Sequence, residues 1–266
     1  MAFLARDGKS VYYEHHRGPN RPVVLVHGWG ATSECWDTTL TALLTAGHEV
    51  VLIDHRACGR SDRDFDDVSV AAIASDVVAL VRELGLDRPV LDGWSFGGAV
   101  VVAAAAELGD AVSGVVLTGG ATPRYSATDD WPHGGRPEDT EAVIAGLAAD
   151  RAATFRAITA AVAAKPLSDD LNEAIWLQFM QTGAKAAFGL RDLVDVEQRE
   201  LLASLAVPIL SLHGTDDAFV PISGARAGIE LARDGRLVEF PGCGHAPFLE
   251  DPATYQTELL RFLDQA

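Results

Sequence analysis

The sequence predicts an α/β protein, built on a doubly wound and mostly parallel sheet with a helical cap inserted into it. Three observations support this fold class. Short, continuously apolar runs, typical of strands covered on both faces, alternate with helical patterns up to about residue 121. From 122 to 196 only helical patterns and loops occur. The alternation resumes at 197, so the cap at 122–196 interrupts one core made of 1–121 and 197–266.

The predicted elements follow one another at the spacing of alternating strands and helices. An early strand with β-branched and aromatic residues is expected over 9–16. Buried strands are then predicted over 22–26, 50–53, 89–92, 114–119, 207–212 and 236–240. Helices are predicted over 35–46, 68–84, 99–106, 150–163, 170–183 and 253–263. Because ligands of such sheets lie beyond the carboxyl ends of the strands, the loops that follow these strands are the candidate sites.

The segment Gly93-Trp94-Ser95-Phe96-Gly97 joins an apolar strand pattern to an Ala/Val-rich helical pattern. The glycines two positions to either side of Ser95 permit a sharp turn that would hold the serine hydroxyl at the edge of the sheet. A serine hydroxyl is a weak nucleophile at neutral pH, so this geometry matters only beside a base. A plain turn without a chemical role is the competing interpretation. The rest of the chain must therefore supply a base, an acid and an oxyanion hole.

A candidate base and a candidate acid stand late in the chain. His245 lies in a glycine-rich loop between the last predicted strand and the last helix. Asp217 stands three residues after Gly214, and it would orient the His245 ring and stabilise the imidazolium. The chain order serine, acid, histidine suits a catalytic triad. Asp216 is the alternative acid, but the spacing favours Asp217, with the other aspartate capping the turn.

Two backbone N–H groups are expected to form the oxyanion hole, which must face the charge that develops on the substrate. One belongs to Phe96, directly after the candidate nucleophile, and the other belongs to Trp29, in the turn that begins at His27. His27 itself is interpreted as a buried loop histidine that bonds to backbone. Asp54 and Arg56 are likewise predicted to hold their loop in place and to take no part in catalysis.

Composition and charge limit the classes of partner. The chain has 266 residues, is 48% hydrophobic and carries a formal net charge of −17, from 38 acidic and 21 basic residues. Such a protein is a poor match for nucleic acid, for an anionic membrane surface or for an acidic partner protein. No histidine or cysteine pair has the spacing of a metal site, and no glycine pattern fits a nucleotide. No metal or other cofactor is therefore expected.

The protein is expected in the cytoplasm. Cys35, Cys58 and Cys243 are odd in number and have no metal-ligand spacing, so reduced thiols are predicted. The segment from Met1 to Asp7 lacks a basic stretch followed by an apolar one, so no signal peptide is expected. The longest Ala/Val run, 99–106, is too short to span a bilayer.

Together these motifs resemble the α/β-hydrolase superfamily. The resemblance rests on His27-Gly28-Trp29-Gly30, the Ser95 turn, Gly214-x-x-Asp217 and His245, and it covers almost the whole chain. It implies a serine hydrolase. Within the superfamily, the chain is similar to the small esterases grouped with cofactor-free haloperoxidases, or perhydrolases. It also resembles the pimeloyl carrier-protein methyl ester esterase, through Trp36, Gly93-Trp94-Ser95-x-Gly97-Gly98, Ser126-Ala127-x-Asp129-x-Trp131-Pro132 and His245-Ala246-Pro247-Phe248.

Two features of the chain bear on the choice among these relatives. Relatives of the haloperoxidase branch often have methionine after the nucleophile, where this chain has Phe96, and this difference favours hydrolysis over perhydrolysis. A carrier-protein esterase would need a basic cap to dock an acidic partner, whereas Arg151 and Arg156 stand here among many carboxylates. A small free ester or lactone is therefore preferred over a carrier-bound ester.

Large apolar residues are the candidates for the substrate pocket. Most of them stand in the predicted cap among small and charged residues, and helical spacing allows some of them to face the serine. Packing within the cap is the competing interpretation. The residues predicted to bind substrate are Trp94, Trp131, Phe155, Trp176 and Phe179.

The sequence thus predicts a serine carboxylic-ester hydrolase that acts through an acyl-enzyme on a small, largely neutral ester or lactone. A pimeloyl-type methyl ester esterase, a perhydrolase and a C–C hydrolase would use the same residues and stay open as alternatives. A ligand receptor built on the same fold is the non-enzymatic alternative. An enzyme with an aspartate nucleophile is disfavoured because the turn carries a serine.

Overall fold

The computed structural model describes residues 2–266, and one eight-stranded sheet forms its centre. The strands are β1 (Ala2–Arg6), β2 (Lys9–His16), β3 (Asn20–Val26), β4 (His48–Ile53), β5 (Val90–Trp94), β6 (Gly114–Thr118), β7 (Ile209–Gly214) and β8 (Gly235–Phe240). Their order across the sheet is β1-β2-β4-β3-β5-β6-β7-β8. The β1–β2 and β2–β4 pairs are antiparallel and the others are parallel, which confirms the predicted fold class.

Helices cover both faces of the sheet. They are α1 (Asp37–Thr45), α2 (Val70–Leu84), α3 (Phe96–Leu108), α4 (Pro137–Ala149), α5 (Arg151–Val162), α6 (Asp169–Met180), α7 (Ala186–Asp195), α8 (Arg199–Ser204), α9 (Ile222–Ile229), α10 (Pro247–Glu250) and α11 (Pro252–Gln265). Short 3₁₀ helices are formed by Ser33–Trp36 and Gly109–Ala111. Within residues 2–266, no helix combines the length and the apolar character needed to cross a membrane.

Two hydrophobic cores form because each strand directs successive side chains to opposite faces of the sheet. On β3, Val24 and Val26 join the core that α2 and α3 cover. Val23 and Leu25 join the core that α1 and α11 cover. All four side chains are fully buried. Positions 22–26 of this central strand are all apolar because both faces are covered, which is why continuous apolar runs predict such strands.

The predicted strands and helices are found, with shifted ends. The strands and α-helices without a counterpart among the predicted bounds are β1, α4, α7, α8, α9 and α10. The helix expected over 35–46 begins as a 3₁₀ helix, and α1 starts only at Asp37. The sequence gives no prediction of β1, which pairs with β2 at the edge of the sheet. Its residues 2–5 are apolar, but only Leu4 is buried and Phe3 is exposed, so β1 is not a strand covered on both faces.

Four helices, α4 to α7, lie in the segment 122–196 that is expected to be helical, and α8 follows them before β7. Between 122 and 196, the extended pairings are the isolated bridges Ser126–Gly135 and Thr128–Trp131. The division into a core of 1–121 with 197–266 and a cap of 122–196 stays a prediction. Met1, the first residue of the predicted core, lies outside the described residues.

Candidate active site

Ser95 stands between β5 and α3 in a backbone conformation that residues with a side chain rarely adopt. Its φ is 55° and its ψ is −117°, a strain that costs on the order of 1–3 kcal/mol. Backbone hydrogen bonds hold the turn: Ser95 N donates to Thr118 O at 3.0 Å, and Ser95 O accepts from Gly98 N and Ala121 N at 2.8 Å each. The sharp turn expected from the glycine spacing is present, and it places Ser95 on the wall of a cavity.

Glycines surround this turn because the backbone approaches too closely for side chains. A Cβ on Gly93 would lie 2.2 Å from Gly97 O, and one on Gly97 would lie 2.3 Å from Val26 O. A Cβ on Gly98 would lie 2.7 Å from Gly120 Cα. These positions therefore need glycine. Because glycine has no Cβ, α3 can begin immediately after the serine.

His245 lies in the loop between β8 and α10, and Asp217 orients its ring. His245 Nδ1 is 2.8 Å from Asp217 Oδ2. Because an ionised carboxylate only accepts hydrogen bonds, Nδ1 carries the proton and Nε2 keeps its lone pair. Asp217 Oδ1 also accepts from the backbone N–H groups of Phe219 and Val220, at 2.8 and 2.9 Å.

The surroundings of Asp217 favour its ionised form. Burial alone would raise the pKa of the Asp217 carboxyl, but His245 and His213 outweigh burial and hold that pKa well below its ordinary value. His213 Nε2 lies 2.8 Å from Val220 O and 3.3 Å from Asp217 Oδ2, so its N–H can interact with both oxygens. The neighbouring Asp216 is exposed to solvent. Of the two adjacent aspartates, Asp217 is therefore the one that the structure places at the histidine.

The loop that carries His245 is anchored from two directions. Trp94 Nε1 donates to His245 O at 2.9 Å, and His245 N donates to Val162 O, at the end of α5, at 2.8 Å. Glu250 on α10 accepts from Ala164 N, just beyond α5, at 2.9 Å. These contacts join the histidine loop to the predicted cap, so the cap helps to set the position of the His245 ring.

Trp29 and Phe96, whose N–H groups are predicted to form the oxyanion hole, line the same cavity as Ser95. Phe96 is the first residue of α3, where the backbone N–H has no acceptor within the helix. The Trp29 side chain is fixed because its Nε1 donates to Ala186 O on α7 at 2.7 Å. Both residues are therefore placed beside the serine, and their role belongs to the proposed function.

His27, Asp54 and Arg56 hold loops, as expected. His27 is buried and its Nε2 accepts from the backbone N–H of the residue after Asp54, at 2.9 Å. Asp54 accepts from Ser33 N at 2.7 Å, and Arg56 pairs with the buried Asp76 at 2.5 Å. In the part of the chain that the structure describes, no three His, Cys, Asp or Glu side chains are grouped to hold a metal ion.

Ser95 and His245 share the wall of a cavity of about 330 Å³. A concave, mostly apolar site of this size suits a small organic molecule. The rest of its wall is formed by Gly28, Trp29, Trp94, Phe96, Tyr125, Gly135, Arg136, Asp139, Thr140, Val143, Ile158, Val162, Phe179, Leu190, Leu193, Ala218, Phe219 and Pro221.

The structure places two of the five predicted substrate-binding residues, Trp94 and Phe179, on this wall. Phe155 lies one layer behind and stacks on Phe179, with the ring centroids 5.5 Å apart. Trp131 and Trp176 are also away from the wall, and each donates its Nε1 to a backbone carbonyl of a neighbouring segment at 3.1 Å. These three side chains pack within the predicted cap, which is the competing interpretation for its large apolar residues.

Other residues of the wall are missing from the sequence-based prediction. Leu190 and Leu193 stand three positions apart on α7, an amphipathic spacing that could have identified them. Phe219 follows the candidate acid by two positions, so the acid motif itself points to it. Tyr125 and Thr140 belong to no motif, and only the packing of the chain brings them to the cavity.

Comparison with known proteins decides the family. Residues 21–252 match the family model described as the alpha/beta hydrolase fold. This protein belongs to the α/β-hydrolase family. The family predicted from the sequence is confirmed.

Relatives of this hydrolase are named as esterases. A bifunctional esterase/perhydrolase of Acinetobacter calcoaceticus is 30% identical over 269 residues, which cover 97% of each chain. A pimeloyl-[acyl-carrier protein] methyl ester esterase of Edwardsiella ictaluri is 32% identical over 249 residues, which cover 92% of this chain and 93% of that one. An esterase structure from Exiguobacterium antarcticum has a TM-score of 0.95 at 26% identity and covers 98% of each chain. These similarities confirm the predicted enzyme class, a hydrolase of the carboxylesterase type.

A second buried carboxyl of the hydrolase lies on the strand that leads to the serine. Asp92, on β5, accepts hydrogen bonds from Thr118 Oγ1 at 2.8 Å and from Tyr255 Oη at 2.9 Å. Burial raises the pKa of Asp92 to about 7, although both hydroxyls oppose the rise. β5, β6 and α11 are therefore joined through a carboxyl that titrates near neutral pH.

Asp92→Asn is expected to change how the free energy of unfolding of the hydrolase depends on pH. The pKa of Asp92 is about 7 in the folded protein, against an ordinary value of 3.8. The folded protein therefore binds the proton more tightly, and the wild type loses stability as the pH rises between these values. Asparagine does not titrate, so the variant does not lose this stability. The free energy of unfolding of the variant minus that of the wild type should therefore increase by about 2 kcal/mol from pH 5 to pH 8.

Urea unfolding at several pH values measures this difference. Asp87→Asn is the control, because Asp87 is exposed and the chemical change is the same. A stability difference between Asp92→Asn and the wild type that does not vary with pH would contradict the prediction.

Proposed function

We propose that this protein is a serine carboxylic-ester hydrolase that acts through an acyl-enzyme, with Ser95, His245 and Asp217 as catalytic residues. The observation that carries the proposal is the 2.8 Å contact between His245 Nδ1 and Asp217 Oδ2, in a ring that shares a cavity with Ser95. A histidine held in this way has Nε2 ready to accept a proton. The esterase names of its relatives support the same chemistry.

In the proposed reaction, Ser95 Oγ attacks the acyl carbon while His245 Nε2 accepts the serine proton. Asp217 stabilises the imidazolium, and the N–H groups of Trp29 and Phe96 donate to the oxyanion. The imidazolium then returns its proton to the leaving alcohol oxygen, and the ester C–O bond breaks. A water molecule, deprotonated by His245, attacks the acyl-enzyme and releases the carboxylic acid and the free serine.

The proposed substrate is a small, largely neutral ester or lactone, bound between the core and a cap of 122–196. The apolar wall favours acyl chains that fill it, at about 0.8 kcal/mol for each buried methylene. Arg136 and Asp139 also line the cavity, but they pair with each other at 2.6 Å. A charged substrate group would therefore have to compete for Arg136.

An ester bound to a carrier protein is less favoured. Arg151 donates to Met180 O at 3.3 Å, and Arg156 pairs with Glu173 at 2.6 Å, so these two arginines of the cap are already engaged. The net charge of −17 also opposes docking of an acidic carrier. Perhydrolysis is the second candidate activity, because relatives are named perhydrolase and non-heme haloperoxidase. It would use the same residues, with hydrogen peroxide in place of water in the second step.

Ser95→Ala and His245→Ala are each expected to lower kcat for ester hydrolysis by about 10⁴-fold or more, because each removes a group that acts in both steps. A phosphonate ester should label the wild type once, at Ser95, as shown by intact mass and peptide mapping. Ser113→Ala is the control, since Ser113 is buried away from the cavity. Unchanged hydrolysis by Ser95→Ala would exclude the acyl-enzyme, and a single turnover by the wild type would favour a receptor.

Asp217→Asn is expected to reduce kcat by about 10⁴-fold, because an amide at this position can hold the His245 ring in the wrong tautomer. Asp216→Asn serves as the matched control, because Asp216 is exposed and should leave the rate close to that of the wild type. Steady-state kinetics on one neutral ester measures both variants. Equal losses, or a larger loss in Asp216→Asn, would show that the acid is wrongly assigned.

A neutral acyl group is expected to be hydrolysed with a kcat/KM at least about 10-fold higher than a charged group of similar length, because a carboxylate would be desolvated beside an apolar wall. The measurement compares the p-nitrophenyl ester of heptanoic acid with the p-nitrophenyl monoester of adipic acid. A preference for the charged ester would replace the proposed substrate with the pimeloyl-type alternative.

A further inference from the structure

Two residues of the cavity wall, Tyr125 and Thr140, carry hydroxyl groups that have no part in the proposed acyl transfer. Thr140, on α4, lines the cavity and is 3% exposed. Its Oγ1 has no hydrogen-bond partner of normal geometry among residues 2–266. Tyr125 lines the cavity beside it: burial raises the pKa of the Tyr125 phenol, and the Thr140 hydroxyl opposes that rise. Because a buried polar group without a full set of partners is unfavourable, the Tyr125–Thr140 pair is a place where a ligand oxygen would be stabilising.

Among the buried helical threonines of residues 2–266, Thr140 lacks a hydrogen-bond partner whereas Thr159 has one. Thr39, in α1, also lacks a partner, but it is not on the cavity wall. Thr140 therefore differs from the others in having both an unsatisfied hydroxyl and a place on the wall. The threonines that donate to the carbonyl four residues earlier, at 2.7–2.9 Å, are Thr41, Thr45, Thr154, Thr159 and Thr257.

The electrostatic surroundings of Tyr125 disfavour a second anion. After burial, Asp139 and Asp217 both act to raise the pKa of the Tyr125 phenol, so the local potential is negative. Arg136, on the same wall, is held by Asp139 through contacts of 3.2 and 2.6 Å. A group that binds here is therefore expected to be neutral and to form hydrogen bonds, as carbonyl, ether and hydroxyl oxygens do.

The nearby wall is apolar. Val143 follows Thr140 by three positions on α4, and α4 packs against α7, which supplies Leu190 and Leu193 to the wall. In such surroundings a hydrogen bond is stronger than in water, and an unpaired hydroxyl is more costly. A plain alkyl chain would offer no acceptor to this pair of hydroxyls, whereas a chain with one well-placed oxygen would accept a hydrogen bond from it.

We propose that Tyr125 and Thr140 form a polar subsite for a second, uncharged oxygen of the substrate, separate from the ester group that Ser95 attacks. The substrate class is then an ester or lactone with an additional carbonyl, ether or hydroxyl oxygen. This inference rests on the proposed function, because it specifies the substrate of the same site. A site built to bind such an oxygen discriminates against the analogue that lacks it.

An oxygen scan of matched esters tests the subsite. The probes are p-nitrophenyl heptanoate and analogues in which an ether oxygen replaces one methylene at each inner position of the chain, so length and charge stay constant. A second series of acetate esters carries the same replacement in the alcohol portion. Dividing each kcat/KM by the rate of hydroxide-catalysed hydrolysis removes the electronic effect of the oxygen.

One oxygen position is expected to raise kcat/KM about 3- to 10-fold over the all-methylene ester, the worth of one hydrogen bond. Thr140→Val, which keeps the shape and removes the hydroxyl, should bring that ratio to about one or below, and so should Tyr125→Phe. Thr159→Val is the matched control and should keep the wild-type ratio, because its hydroxyl bonds within α5 and lies off the wall. A wild-type ratio near one at every position, or a preference that survives both substitutions, would overturn the subsite.

Binding to Ser95→Ala separates this inference from the proposed function. Calorimetry with the best ether ester and its methylene counterpart reports the subsite without turnover, and the same fold difference is expected in Kd. If the two esters bind to Ser95→Ala with this difference but are still hydrolysed by it, the acyl-enzyme fails and the subsite stands. If Ser95→Ala is inactive and binds both esters equally, the subsite fails and the proposed function stands.

Discussion

A φ of 55° at Ser95 is unfavourable for a residue with a Cβ, and the backbone around the sheet edge is arranged to hold it. The hydrogen bonds come from β6 and from the chain just beyond it, and Gly93, Gly97 and Gly98 allow the close approach. Because α3 begins at Phe96, the same turn that presents the serine hydroxyl also places the first N–H of the helix beside it. The candidate nucleophile and half of the candidate oxyanion hole are thus one local structure.

The histidine side of the site depends on longer-range packing. The acid loop and the histidine loop follow neighbouring strands, and they lie so close that a Cβ on Gly214 would be 2.0 Å from Gly244 O. The backbone N–H of His245 is held by Val162 O at the end of α5. A movement of α5 would therefore shift the candidate base. This contact gives the proposed cap a part in catalytic geometry as well as in the shape of the pocket.

The features that could be predicted from the sequence are those that depend on residues close together in the chain. The serine turn and the choice of Asp217 over Asp216 depend on residues a few positions away, so spacing alone indicates them. The wall of a pocket, in contrast, is formed by residues that are far apart in the sequence. Whether an aromatic side chain reaches the cavity depends on the phase of its helix and on its neighbours, and Phe155 is displaced because Phe179 lies in front of it. The edge strand β1 escapes prediction for a similar reason, since its short apolar stretch is mostly not buried and the strand is defined by its pairing with β2.

Two buried aspartates near the serine show that the partners of a carboxyl, and not burial alone, decide its charge. Asp92 receives hydrogen bonds from hydroxyl groups, and burial raises its pKa to about 7. Asp217 accepts two backbone N–H bonds and faces His245 and His213, and the two histidines keep its pKa low in spite of burial. The first environment suits a carboxyl that joins strands to a helix. The second suits one that must stay ionised beside an imidazolium, which is the property that a catalytic acid partner requires.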